Sequence, residues 1–373
     1  MAITFPRSSE IIALIPKPAR RMAVFILGHK ILLLTLVLFL PAALPELPAH
    51  NRPIGARFNT WDGGYYLTIA AHGYAAKGTR LFYPLWPACI RLGSWLTGGD
   101  MLVSGCLLSN LLSLIALLLF HRMVWQQHGL PVADGATVLL LLFPGSVFFF
   151  FPYTESLFLL LLMICLICLR QKMYWAAALA GFLLPLTRAT GIFILPVLLW
   201  ETFAAHPPHD SLKRYWICLG PLLGYLCYFG IMFLFTGDAF AGFNAQQSTP
   251  SHPSIAQISD LSGFVHAFLD VRSFHEMLYS FLDRAVFVFV LVSLYWTWRL
   301  DPGYYVYAAF SGVIPALSND MASYTRYASV VFPVFIVWDV ALRRKWMSVL
   351  ISLLFFVLQM VFLLRHISNQ WAG

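Results

Sequence analysis

The stretch AVFILGHKILLLTLVLFLPAA, residues 23–43, decides the fold class of this chain. It outruns the roughly 7–15 apolar residues of a signal-peptide core and reaches the roughly 20 that a helix needs to cross a bilayer. Arg7, Lys17, Arg20 and Arg21 precede it, so it reads as an uncleaved first transmembrane helix entered from the cytoplasm. Composition extends that reading to the whole molecule. Of 373 residues, 60% are hydrophobic, 16% aromatic and only 11% charged, with a mean hydropathy of +0.76. Soluble domains carry about 25% charged residues. The expected fold is therefore an all-α polytopic membrane protein, with residues 1–373 as a single integral membrane domain. The net charge of +8 does not indicate nucleic acid, because no periodic basic patch is present for phosphates to follow. The charges stand at the ends of apolar runs, where membrane topology places them.

Working outward, further apolar runs lie near 101–120, 135–151, 153–169, 174–187, 189–205, 215–236, 281–299, 303–317, 327–342 and 347–365. That makes about eleven transmembrane helices, with 174–187 and 189–205 open to being one broken hairpin. With the N-terminus inside, alternation puts Arg122, Arg170, Lys172, Lys213, Arg214, Arg299, Arg343, Arg344 and Lys345 in short cytoplasmic loops, as the positive-inside rule favours. Two long segments, about 44–100 and 237–280, then become external. Asp62, Asp100, Glu155, Asp238, Asp260, Asp270, Glu276, Asp283 and Asp320 share that side with Arg188 and Arg326. Ionisable groups gathered on the outer face point to chemistry away from ATP and nucleotide sugars. No internal repeat of the transporter kind is evident. The six cysteines, Cys89, Cys106, Cys165, Cys168, Cys218 and Cys227, sit almost entirely in apolar runs without metal-ligand spacing.

The chemistry-bearing motifs fall at the outer ends of these runs. FNTWDGGYYLTIAAHGYAAKGTRLFYPLWP, residues 58–87, concentrates Asp62, His72, tyrosines and glycines. Asp62 there is either a general base for an attacking hydroxyl or an N-cap for a helix beginning at Gly63 or Gly64. Trp61 and its neighbouring tyrosines can stack on sugar rings or serve as an interfacial aromatic belt. FPYTESLF puts Glu155 at a helix mouth, to orient an arginine, bind hydroxyls or complement the helix dipole. LTRATGIF and SYTRYASV present Arg188 and Arg326, each able to clamp a phosphate or to snorkel to the interface. Tyr327 stands beside Arg326. TGDAFAGFNAQQ offers Asp238, Asn244 and Gln246 as an acceptor groove, or marks a plain turn. No histidine pattern supports a metal site; a divalent ion held by Asp62 and Asp238 remains open.

Taken in order, WDGGYYLTIAAHGY, FYPLWP, PYTESLF, LTRATGIFILP, TGDAFAGFNAQ and YTRYASVVFPVF resemble the GPI mannosyltransferase II (PIG-V) family, in a compact prokaryotic form. The resemblance runs over residues 58–335. It implies a GT-C architecture and an inverting transfer of a sugar, mannose in this family, from a polyprenyl- or dolichyl-phosphate donor to a lipid- or glycan-linked acceptor. Carried over, Asp62 is the candidate base, and Arg326 and Arg188 hold the donor phosphate. Glu155, His72, Trp61, Gln246 and Tyr327 are candidate substrate-binding residues. No resident cofactor is expected. The compact chain and the lack of an N-x-S/T sequon point to a bacterial or archaeal inner membrane with an outward-facing site; in a eukaryote the membrane would be that of the endoplasmic reticulum. The competing readings are a lipid or sugar-lipid flippase, which would show polar residues at mid-helix and a repeat, and a non-catalytic membrane subunit.

Overall fold

The computed structural model describes residues 16–204, 212–249, 254, 256–318, 321–342 and 345–373. Arg7, His252, Asp320, Arg343 and Arg344 lie outside the described residues. Among those described, the chain is helical throughout and contains no strand. Each of the eleven apolar runs is helical over most of its length. Five helices are long and apolar enough to cross a membrane: Lys17–Ala43, Met101–His128, Arg214–Thr236, Phe281–Leu300 and Trp346–Ile367. Their outer faces display Leu107, Leu226, Leu234, Leu353 and Val357, as lipid-facing helices must.

The two outer segments are more structured than loops. The first carries the helices Ile54–Phe58, Asp62–His72 and Leu85–Ser94, and the second carries Ala241–Gln246 and Leu261–Leu269. Arg57 ties the first segment to the helix before it. Pro41 has no N–H to give Val37, and the Arg57 guanidinium donates to that carbonyl at 2.9 Å and to Leu38 at 3.1 Å.

The largest departure from the sequence reading concerns residues 135–151. The helix Leu130–Leu142 stops before Pro144, and the chain continues as a short 3-10 helix, Pro144–Phe149, and irregular backbone up to Glu155. This stretch, FPGSVFFFFPYT, is wholly buried. Buried backbone outside a helix is tolerable only if its carbonyls find donors. Neighbouring helices supply them. The Gln359 amide donates to Leu141 and Phe143, at 2.9 and 3.1 Å, and its oxygen pairs with His29 at 2.8 Å. Phe149 receives Ser113, Ser156 and Lys30, and Phe150 and Pro152 receive Asn110 and Trp86. His29 and Lys30 are thus ionisable groups in mid-helix, which the sequence reading had confined to one face. Both are spent locally, and Lys30 also holds Asn110 and Ser113.

Gly145 shows why the helix has to end. A β-carbon there would stand 2.2 Å from the Thr325 carbonyl oxygen, so the 3-10 backbone lies directly on the backbone that carries Arg326. The run expected at 327–342 is likewise split, into Tyr324–Ala328 and Pro333–Ala341.

Long-range ion pairs sort the chain ends as topology requires. Arg21 with Asp134 and Arg170 with Asp301 join loops expected on one side. Arg326 with Asp62, Arg188 with Glu155 and Arg365 with Glu276 join loops expected on the other.

Replacing Gln359 by Leu removes the donor to two buried carbonyls and the partner of His29, at about 1–3 kcal/mol per orphaned group. The thermal midpoint of the detergent-solubilised variant is expected to fall by several degrees. An unchanged midpoint would show that these carbonyls find other donors.

Candidate active site

Four charged side chains from four distant segments meet at one end of the bundle. Asp62 is the first residue of the helix Asp62–His72. The N-cap position belongs to Trp61, with no side-chain cap, so the capping alternative for Asp62 does not hold. Trp61 has φ 47° and ψ −128°, a conformation that a bulky residue adopts only when its surroundings enforce it. Its indole N–H donates to the Gln370 carbonyl at 3.1 Å, and its ring meets Trp371 edge-on at 5.1 Å. Trp61 therefore anchors the segment after the last helix, and the turn it makes aims Asp62 inward.

Glu155 opens the helix Glu155–Arg170 and is completely buried. A carboxylate in a first helical turn is favoured by the helix dipole, and this one is also an ion-pair partner. Arg188 is extended between the 3-10 turns Leu184–Leu186 and Ala189–Phe193. Those turns stack so closely that a β-carbon on Gly191 would lie 2.3 Å from the Leu184 carbonyl. Arg326 sits on Tyr324–Ala328 and is held from behind by buried Asp283. One Asp283 oxygen accepts both the Thr325 N–H and the Thr325 hydroxyl, each at 2.7 Å.

The four groups alternate in sign. Arg188 Nη1 donates to Glu155 Oε1 at 2.7 Å. Arg326 Nε lies 3.2 Å from the same oxygen, at ion-pair distance without hydrogen-bond alignment. Arg326 Nη1 donates to Asp62 Oδ2 at 2.5 Å. The Asp62 side chain is 24% exposed, against 9% for Arg326 and none for Glu155, so the row is most accessible at the carboxylate. Tyr327 lies against both cations, with ring centroids 4.7 Å from Arg188 and 5.8 Å from Arg326. Tyr153 faces Arg326 at 5.4 Å. Burial works against the charge on Arg326, but Asp62 and then Glu155 outweigh it and hold the guanidinium's pKa well above its ordinary value. Removing one partner from so buried an array is expensive, about 3–5 kcal/mol.

The structure thus brings together Asp62, Glu155, Arg188, Arg326 and Tyr327. It does not bring in His72, at the far end of the Asp62 helix, about 15 Å along the axis. Gln246 ends the helix Ala241–Gln246, where its carbonyl accepts the Thr249 hydroxyl. Asp238 is engaged by its own loop, through Phe240 N–H and the Asn244 amide. Among the described residues no cluster of three or more His, Cys, Asp or Glu is placed to hold a metal ion.

Two supporting features escaped the sequence reading. Asp283 had been counted only as one more external carboxylate. Its signal is the pattern Ser280-x-x-Asp283, a capping box, and Ser280 Oγ does accept the Asp283 N–H at 3.2 Å. The other is the segment after the last helix, whose Gly373 backbone oxygen accepts Arg326 Nη1 at 3.3 Å.

Known proteins resemble this chain in both sequence and fold. The mannosyltransferase (PIG-V) family matches residues 46–204, a span that holds Asp62, Glu155 and Arg188. GPI alpha-1,6-mannosyltransferase 2 of Cricetulus griseus is 30% identical over 149 residues, 37% of this chain and 30% of that protein. Its Mus musculus counterpart is 27% identical over 208 residues, 52% of this chain and 42% of that protein. The matched region is thus well under half of either curated relative. Two structures of Archaeoglobus fulgidus oligosaccharyltransferase share the fold at 12% identity. The complex with zinc and sulfate gives a TM-score of 0.52 over 93% of this chain and 53% of its own. The complex with an inhibitory peptide and a dolichol-phosphate gives 0.51 over 96% and 57%. Residues 46–204 are thus similar to the PIG-V mannosyltransferase family, and the fold is shared with the archaeal oligosaccharyltransferase over nearly the whole chain.

Proposed function

We propose that this protein is a membrane glycosyltransferase that moves a sugar, mannose by family, from a polyprenyl- or dolichyl-phosphate donor to a lipid- or glycan-linked acceptor. The transfer takes place on the external face of a bacterial or archaeal inner membrane, with inversion. The observation that carries the reading is the alternating row Arg188–Glu155–Arg326–Asp62, which sets a base beside two phosphate-binding cations. The dolichol-phosphate bound by the archaeal neighbour and the family match support a lipid-linked donor.

The charges suit this reaction. The four groups sum to zero, and a lipid-phosphate sugar brings one negative charge. The acceptor oxygen attacks the anomeric carbon while the bond from that carbon to the phosphate oxygen breaks. The hydroxyl proton passes to Asp62, and the lipid phosphate leaves with a second negative charge. Protonating Asp62 leaves the row at +1, which offsets the charge gained by the leaving group. Preorganised cations at a developing charge are the larger part of such catalysis. Arg326 also restrains the base until a donor arrives, because a phosphate competes with Asp62 for the guanidinium. A flippase would draw on mid-helix charges, but His29 and Lys30 are occupied by Gln359, Asn110 and Ser113.

Labelled transfer from polyprenyl-phosphate-mannose tests the reading, with the protein in nanodiscs and a host lipid and glycan extract as acceptor. Asp62→Asn is expected to lower kcat by about 10²-fold or more in a protein that still folds, with a lowered thermal midpoint because Arg326 loses an ion-pair partner. Equal turnover would remove Asp62 as base, and a wild type inert towards donor would overturn the reading. Glu155→Gln leaves the row at +1, so it is expected to lower the donor KM and, by retaining the charged product, to lower kcat as well. A raised KM in a folded variant would contradict the charge argument.

A further inference from the structure

The geometry points to Tyr66 as a hydrogen-bond donor to the phosphoryl oxygen held at Arg326 and Arg188, a positioning role additional to the four charged residues. The inference rests on the lipid-phosphate reading of that site.

Tyr66 stands four residues after Asp62 on the helix Asp62–His72, and residues at that spacing share one helical face. Its ring is fixed from two sides, edge-on to Phe82 at 5.0 Å and to Tyr153 at 6.5 Å. Tyr153 in turn faces the Arg326 guanidinium. Tyr66 is buried, at 6% exposure, and its hydroxyl has no hydrogen-bond partner among the described residues. Tyr153 differs here, since its hydroxyl donates to the Thr60 carbonyl at 3.2 Å. The hydroxyl oxygen is not among the sealed, unpartnered polar atoms of the interior, so it keeps an opening beside the charged cluster through which a ligand oxygen can reach it.

The neighbours define that ligand. The Tyr66 phenol feels Asp62, Arg326, Glu155 and Arg188 together, and burial followed by Asp62 pushes its pKa above the ordinary tyrosine value. It therefore stays protonated and offers a proton. Both carboxylates already accept from arginine, so what is missing is an anionic oxygen drawn in by the two guanidiniums. A neutral O–H beside two guanidiniums adds a further donor without adding charge.

Tyr66→Phe separates the hydroxyl from the ring. Its packing against Phe82 and Tyr153 survives, so the thermal midpoint should match wild type, whereas Tyr66→Ala should lower it. In the transfer assay Tyr66→Phe is expected to lose about 10- to 100-fold in kcat, with a smaller change in donor KM. Affinity for polyprenyl phosphate without sugar, titrated in nanodiscs, should weaken severalfold and needs no turnover. If wild type binds polyprenyl phosphate but transfers nothing, the transferase reading fails, while Tyr66 is still judged by binding. If Tyr66→Phe stays within twofold of wild type in kcat and in polyprenyl phosphate affinity, the role assigned to its hydroxyl is wrong. A wild type that binds no polyprenyl phosphate overturns the assignment as well.

Discussion

Backbone that leaves the helix inside a membrane protein must have its carbonyls satisfied by side chains, and the arrangement of this molecule follows from that constraint. Pro144 ends a helix in the interior, and Gln359, Lys30, Ser113, Asn110 and Trp86 converge on the exposed carbonyls. The freed segment then serves the site at both ends. At Gly145 it supports the backbone of Arg326, and its last residues deliver Glu155 into the ion-pair row. The polar groups on the helices Lys17–Ala43, Met101–His128 and Trp346–Ile367 are therefore scaffold for a site they do not touch.

Much of the fold was legible because apolar run length is a property of single segments. Residues 23–43 and 281–299 announce themselves, and the alternation of sides agrees with every long-range ion pair named above. What sequence could not show was which run would break. FPGSVFFFF reads as membrane helix by hydropathy, and its unwinding depends on donors up to 216 residues away, such as Gln359. The same holds at the site. Asp62, Glu155, Arg188 and Arg326 were recognisable as charges in apolar settings, but contact between Asp62 and Arg326 spans 264 positions. His72 and Gln246 looked equivalent to them in composition. They fall away because helix length and loop packing, neither local in sequence, carry them elsewhere.

The row of four charges illustrates how a membrane enzyme can keep cations ready without destabilising itself. Two unpaired guanidiniums buried near lipid would be prohibitive. Interleaving them with Glu155 and Asp62 makes the row neutral, and its most accessible member is the Asp62 carboxylate. Tyr327 and Tyr153 line the cations with aromatic faces, which limits water and keeps the local electrostatics strong.

Arg326 is also hydrogen-bonded to main chain. The Gly373 oxygen lies 3.3 Å from its Nη1, and Trp371 and Gln370 are fastened to Trp61. Occupancy of the guanidinium by an incoming oxygen is then an exchange, and its measured affinity is a difference between two bonds. Calorimetry of such an exchange would record, besides the new contact, the heat and entropy of a peptide segment letting go of an indole.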